Sequence, residues 1–376
     1  MFYYGWTVLL NRLFGLLPLQ KNRVLFLSDV REDLSGNFRY VRDALPKGYE
    51  VRMSLKADRR IRRPLREYLR QCLDLATCGT IFLDDFAECT AFMHVRKGQE
   101  LVQLWHGSGA YKKFGHSRSG NENESVRIHP GYKRYTKAIV SSDKIRSCYA
   151  EAFALPPERV LATGIPRTDA FFDNGSIAGF REAFYVNYPE IAGKKVILFA
   201  PTYRGERVED ASYDFSALRL DVLYEALHEE YVLLVKWHPA IQNNLRNGKI
   251  RGWDPSLYEG FVYDLSDIRE VNDLLFVTDL LVTDYSSVIF DYALLEKPII
   301  FFCYDLAQYR DGRGLYFPFE EYVYGAVASD TRELVDAVRE EAMCRAQREI
   351  FREKFIDAND GHASQRLTEA VFGTHR

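Results

Sequence analysis

The feature that most constrains this chain is a repeated one. Short, wholly apolar runs break on a polar or glycine-containing turn and give way to helical patterning. Val24-Leu25-Phe26-Leu27, Thr80-Ile81-Phe82-Leu83, Val196-Ile197-Leu198-Phe199, Tyr231-Val232-Leu233-Leu234-Val235 and Pro298-Ile299-Ile300-Phe301-Phe302 are such runs. A strand apolar on both faces must be covered on both faces, which is the position of a strand in a parallel sheet flanked by helices. Alternation of these runs with helical segments predicts βα units, and therefore an α/β fold with two parallel sheets. The alternation weakens over 173–194, where Asn174-Gly175 and Ala192-Gly193 interrupt it. The expected division is therefore 21–178 for a first domain and 179–376 for a second, with residues 1–20 as a leading helix and the last helices free to pack back on the first domain. A chain of 376 residues is long for one core, which agrees with two.

The polar residues that close the runs are not random. His106-Gly107 ends one strand, and Arg167 and Asp169 follow another. In the second half Thr202 and Arg204, then Lys236 and His238, then Asp284, Ser286 and Ser287 do the same. Parallel α/β sheets bind ligands at the carboxyl ends of their strands, so these clusters are expected to meet in one active site in a crevice between the two domains. The stretch Leu280 to Asp291 shows the ambiguity of any single cluster. Ser286 and Ser287 sit where a helix should begin, and a serine there either caps the helix or helps its unpaired N–H groups hold a phosphate.

The inventory of histidines, cations and hydroxyls suits an anionic, phosphate-bearing substrate. No Walker glycine loop or metal-ligand spacing is present, so no metal site is expected, although a divalent cation requirement is left open. A net charge of −3 gives no reason to expect nucleic acid. The six cysteines form no CxxC or Cys/His pattern and read as reduced thiols of a cytoplasmic protein. His106, followed by Gly-Ser-Gly, has the room and the chemistry to take a proton from an attacking hydroxyl. His238, between Lys236 and a proline, is a second catalytic candidate, and there phosphate contact is favoured over proton transfer.

Two features suggest a surface partner. Residues 2–17, with Trp6 and Phe14, read as an aromatic helix that either lies at a membrane interface or packs on the protein itself. A basic segment follows from Lys56 to Arg70, expected to be helical and including Arg59, Arg60, Arg62 and Arg63. Such a run is either a solvated face or an anionic-membrane contact worth roughly 1 kcal/mol per cation.

Taken in order, Trp105-His106-Gly107, Gly164-Ile165-Pro166-Arg167-Thr168-Asp169, Ala200-Pro201-Thr202-Tyr203-Arg204, Lys236-Trp237-His238-Pro239, Thr283-Asp284-Tyr285-Ser286-Ser287 and Arg313-Gly314 resemble the CDP-glycerol glycerophosphotransferase family of teichoic acid synthesis. The resemblance implies a GT-B-like fold of two Rossmann-like domains. It implies transfer of glycerol phosphate from CDP-glycerol to a hydroxyl on an undecaprenyl-diphosphate-linked N-acetylmannosaminyl-N-acetylglucosamine, with release of CMP. By the same resemblance His106 is the general base and His238, Ser286 and Ser287 hold the donor phosphates, with Thr202, Arg204, Lys236 and Arg313 as further donor contacts. Gly107, Arg167, Asp169, Asp284 and Asp291 stand as acceptor contacts or structural groups. The short stretch before the first strand favours the priming enzyme. A glycerol- or ribitol-phosphate polymerase, a GT-B sugar transferase and an idle membrane scaffold are the alternatives. The expected place is the cytoplasmic face of the cell membrane, held peripherally to anionic lipid.

Overall fold

The computed structural model describes residues 2–118, 130–205, 208–312 and 314–373. It divides into two compact units, one made of Met1–Phe172 together with Lys354–Arg376, the other of Asp173–Glu353. The division falls at Phe172/Asp173, six residues before the boundary expected at 178, because the helix that follows belongs with the second unit.

In the first unit, α1 (Phe2–Phe14) leads to β1 (Gln20–Ser28), α2 (Asn37–Asp43), β2 (Glu50–Leu55), α3 (Leu65–Thr77) and β3 (Cys78–Leu83). Then come β4 (Glu100–Gln103), β5 (Lys137–Ile139), α4 (Arg146–Phe153) and β6 (Val160–Leu161). The strands pair in parallel in the order β2-β1-β3-β4-β5-β6. Every residue of β3 is buried, the reason its run is apolar without alternation. The core gathers Phe26, Phe38, Phe82, Val102 and Ile139, with Phe26 and Phe82 stacked at 5.7 Å. Burying each such ring contributes about 2–3 kcal/mol.

The second unit runs α5 (Asn174–Asn187), β7 (Lys195–Phe199), α6 (Leu220–Leu227), β8 (Tyr231–Val235), α7 (Pro239–Arg246) and β9 (Val262–Asp264). It continues with α8 (Val271–Leu275), β10 (Leu280–Thr283), α9 (Val288–Tyr292), β11 (Ile299–Phe302), α10 (Leu306–Gly312), β12 (Ala326–Ala328), α11 (Thr331–Glu340) and α12 (Arg345–Phe355). Read from one edge, its parallel sheet is β9-β8-β7-β10-β11-β12. This is the doubly wound dinucleotide-fold order, in which the chain reverses direction between β7 and β10. The last helix, α13 (Ala363–Phe372), returns to the first unit, where Leu367 enters the core.

One expected helix is absent. Residues 56–64 form an irregular segment, and α3 starts only at Leu65. Pro64 disfavours a helical conformation at Arg63, and Arg63 is turned inward. Its guanidinium donates to the carbonyls of Ser28, Ser54 and Leu55 and to Asp29, tying the ends of β1 and β2 together. With its side chain only 7% exposed, Arg63 is a strand-end clamp and not one of the surface cations the sequence suggested.

Candidate active site

In the first unit the site grows from the end of β4. Trp105 takes φ +58, a left-handed conformation unusual for a bulky residue and worth about 1–3 kcal/mol of strain. It is held there at both ends: its N–H donates to Gln103 Oε1 and its carbonyl accepts from Asn37 Nδ2 at 2.9 Å. The turn leaves His106 exposed. Its Nδ1 lies 3.7 Å from Asp85 Oδ2, and the other Asp85 oxygen accepts from Arg59 at 2.8 Å. Asp85 follows β3, so neighbouring strand ends supply the pair. A carboxylate facing Nδ1 turns Nε2 outward, the arrangement in which a histidine can accept a proton from a substrate hydroxyl. Sequence reasoning passed over Asp85, although Asp84-Asp85 directly after an apolar strand was a signal.

Arg167 donates to the carbonyl of His106 at 3.0 Å and to Ser108 Oγ at 3.3 Å, while its own N–H donates to Asn37. It thus shapes the 106–108 loop from behind. Gly107 leaves space beside it, since a Cβ there would meet only Trp105, at 3.9 Å. Asp169 plays a different part. Its two oxygens accept from the N–H groups of Ala363 and Ser364, both at 2.9 Å, and fasten α13.

In the second unit the polar cluster surrounds the switch between β7 and β10, where ligand binding is expected of this sheet order. Asp284, 1% exposed, accepts from the N–H groups of Thr202 and Tyr285 and from Arg204 Nη1 at 2.8 Å. Arg204 also grips Asp305 through Nε and Nη2. Four tyrosine rings, Tyr213, Tyr285, Tyr304 and Tyr309, surround its guanidinium at 5.1–5.5 Å. Burial works against its charge, but Asp284 and Asp305 outweigh burial and push its pKa up. Arg204 is therefore the centre of a frame that fixes the loops after β7, β10 and β11.

Lys236 and His238 follow β8. Lys236 is buried, with Nζ donating to the Ser266 carbonyl at 3.0 Å. Burial lowers its pKa, opposed by Asp264, Asp267 and Glu270. His238 caps α7: its Nδ1 accepts from the Ala240 N–H at 3.1 Å. That bond puts the proton on Nε2, which makes the ring a donor to an anion and poorly suited to remove a proton. Ser286 accepts weakly from the Val288 N–H at 3.4 Å, and the exposed Ser287 makes no capping bond. Asp291 is buried within α9, in electrostatic range of Tyr324. Arg313 lies outside the described residues. Among the described residues, no group of three metal-ligating side chains comes together.

Two parallel six-stranded sheets, the second in dinucleotide-fold order, define a GT-B-like α/β architecture. The same architecture is found in the wall teichoic acid polymerase TagF, at a TM-score of 0.79 over 96% of this chain and 92% of that one with 23% identity. A looser likeness joins it to the UDP-GlcNAc 2-epimerase of Methanocaldococcus jannaschii, at a TM-score of 0.54, 12% identity, and 94% and 99% coverage. The chain belongs to the CDP-glycerol:poly(glycerophosphate) glycerophosphotransferase family, whose model matches residues 9–373. It is 41% identical to the teichoic acid poly(ribitol-phosphate) polymerase of Bacillus spizizenii, over 99% of this chain and 58% of that protein. Against the ribitol-phosphate polymerase TarL of Staphylococcus aureus it is 37% identical, over 94% and 63%. The chain thus spans about three-fifths of the length of these two. It is 34% identical to the teichoic acid ribitol-phosphate primase of B. spizizenii, over 95% of this chain and 92% of that one.

Proposed function

We propose that this chain transfers a polyol phosphate from a CDP-activated polyol to a hydroxyl of a lipid-linked teichoic acid acceptor, releasing CMP. The first unit activates the acceptor and the second binds the donor. The observation that carries the reading is His106, exposed on a strained turn with its Nδ1 facing Asp85. The acceptor hydroxyl gives its proton to His106 Nε2 as its oxygen attacks the phosphorus next to the polyol. The new O–P bond forms while the bond from that phosphorus to the bridging oxygen breaks, and CMP departs with the electron pair. Phosphoryl transfer of this kind depends chiefly on positioning and charge. Lys236, His238 Nε2–H and the hydroxyls of Ser286, Ser287 and Thr202 supply the charge and donors. Arg204 works through the loops it braces, and Arg313 remains a proposed anion contact.

CDP-glycerol and linkage-unit priming are what the motifs alone favour. Relatives lean toward ribitol: three ribitol-phosphate polymerases match at 37–41% identity, and the glycerol-phosphate primase of Bacillus subtilis at 30%. TagF has been soaked with CDPG, which supports a CDP-polyol donor in general. We therefore place CDP-ribitol first and CDP-glycerol second. Mass spectrometry of products formed from each donor with a lipid-linked disaccharide, and with the same acceptor already carrying polyol phosphate, separates the cases. One added unit marks a primase and a ladder a polymerase. Release of CMP from neither donor would overturn the proposal.

Attachment to the inner leaflet is part of the same proposal. No helix among the described residues is long and apolar enough to cross a membrane. Helix α1 instead exposes Trp6, Leu9 and Leu13, continued by Leu16, while Thr7 bonds Tyr68 of α3 on its inner side. The spacing places the apolar residues on one outward stripe, with exposed Arg60 and Arg62 on the same unit.

A further inference from the structure

A cleft of about 440 Å³ opens at the carboxyl ends of β1 and β2, where Asp29 and Lys56 follow the two strands and line it. It lies at the same end of the sheet as His106, the end at which parallel α/β sheets bind ligands. The irregular 56–64 segment forms one wall and is held in place by its own inward cations. Lys56 donates to the carbonyls of Arg59 and Ile61, at 2.9 and 3.3 Å, and lies 3.4 Å from Asp29. Arg63 meets the same carboxylate at 3.2 Å. Arg60 is taken up by Asp58. Arg59 and Arg62 are left exposed on the wall, and among the described lining residues only the exposed Glu88 opposes them. A loop pinned in this way holds cations out to an anion, and a phosphate can accept from a guanidinium at two points.

Arg59 also reaches the reacting groups. Its Nη2 donates to Asp85 Oδ1 at 2.8 Å, while Asp85 Oδ2 stands 3.7 Å from His106 Nδ1, too far for a hydrogen bond. The wholly buried Gln103 joins the two strand ends: Nε2 donates to the Asp85 carbonyl at 3.2 Å, and Oε1 accepts from the Trp105 N–H at 2.8 Å. The backbone spacing is therefore set, and what can shorten the 3.7 Å gap is the Asp85 side chain that Arg59 holds. The Arg59 side chain is 45% exposed, and an ion pair that exposed is weak enough for a phosphate to displace.

We propose that this cleft is an anion subsite for a phosphate group of the acceptor, with Arg59 as its specificity-determining residue. The acceptor phosphate draws Arg59 away from Asp85. Asp85 then closes on His106 Nδ1–H and stabilises the imidazolium formed when the ring takes the hydroxyl proton. Arg59 thereby makes proton removal depend on an anionic acceptor being in place. The inference rests on the function proposed above and names the part of the acceptor that the first unit reads.

The test measures CMP release by the full chain from a CDP-polyol with three soluble acceptors: a neutral disaccharide, the same disaccharide carrying a diphosphate, and the disaccharide carrying one polyol phosphate. Wild type should show a kcat/KM about tenfold or more higher with a phosphate-bearing acceptor than with the neutral one. Arg59→Gln, with an unchanged thermal midpoint, should abolish that advantage and raise kcat with the neutral acceptor a few-fold, because Asp85 is no longer held back. Arg59→Lys, which keeps the charge, should restore part of the advantage. If the diphosphate acceptor shows the effect, the cleft reads the lipid-side diphosphate; if the polyol phosphate acceptor shows it, the cleft reads the growing chain. An equal loss with neutral and phosphate-bearing acceptors in Arg59→Gln overturns the subsite and leaves Arg59 a prop for Asp85. Wild-type turnover with no preference for phosphate overturns the subsite and leaves the proposed function standing. CMP release with none of the three acceptors overturns the proposed function and the subsite with it.

Discussion

The loops after β4 and after β7 both lie at carboxyl ends of parallel strands, and they are built in opposite ways. His106 is exposed, and among the described residues the only ion pair its ring makes is a loose one of 3.7 Å to Asp85. Arg204 is enclosed by two carboxylates and four aromatic rings. A group that must exchange a proton with substrate has to be reachable and free to tighten its contacts on binding. A frame that must hold phosphates in line has to be in place beforehand. On the proposed reading the contrast separates chemistry from scaffolding, although both residues look alike in the sequence as polar groups ending a strand.

The contrast can be broken by substitution. His106→Ala should cut CMP release by about 10³-fold or more with the denaturation midpoint unchanged, read by steady-state turnover and thermal unfolding. Retained activity would remove the base. Arg204→Met should act the other way, leaving the buried Asp284 and the half-buried Asp305 without their cation and costing about 3–5 kcal/mol in denaturant unfolding. A stable but inactive Arg204→Met would instead make Arg204 a direct substrate contact. Asp85→Asn should lower kcat by about 10–100-fold with little change in KM, because it weakens the orientation of His106 along with the ion pair to Arg59. An equal effect on KM would place Asp85 in substrate binding.

The smallest effect concerns pH. Burial holds the Lys236 pKa below its ordinary 10.5. The folded state therefore binds this proton less readily than the unfolded one, which is a penalty below the folded pKa that is relieved as pH rises toward 10.5. Donor affinity should consequently fall on the alkaline side earlier than an ordinary lysine would allow. Lys236→Arg should move that limb upward in calorimetric titrations against a CDP-polyol. An alkaline limb identical in the two proteins would show that Lys236 does not meet the donor.

Much of the fold was legible because buried parallel strands must be apolar on both faces, and the runs at Val24, Thr80, Val196, Tyr231 and Ile299 each become a strand. β12 was not legible: Ala326-Val327-Ala328 is too short and too small to stand out. The irregular 56–64 segment was misread as helix because a run of arginines suits a helix face, and only Arg63-Pro64 argued against it. At the site, residues that end strands were visible one by one, but their partners were not. Asp305 lies 101 residues from Arg204, and nothing local announces that the two will meet. The tautomer of His238 likewise became readable only from its bond to the Ala240 N–H.

The return of residues 354–376 to the first unit has a further consequence, for the order in which the protein is made. Ser141 Oγ donates to the Phe355 carbonyl, Asn359 accepts from the Ile165 N–H, and Gly164, at φ +81, packs so closely that a Cβ would stand 2.2 Å from the Ala358 oxygen. A chain emerging from the ribosome therefore presents the sheet of the first unit with its Leu367 position empty and Asp169 without the N–H groups it binds. The second unit, continuous from 173 to 353, has all its residues before the first does. The half synthesised first is thus the half finished last, and a nascent chain stalled after residue 353 should protect the second sheet from proteolysis before the sheet that carries His106.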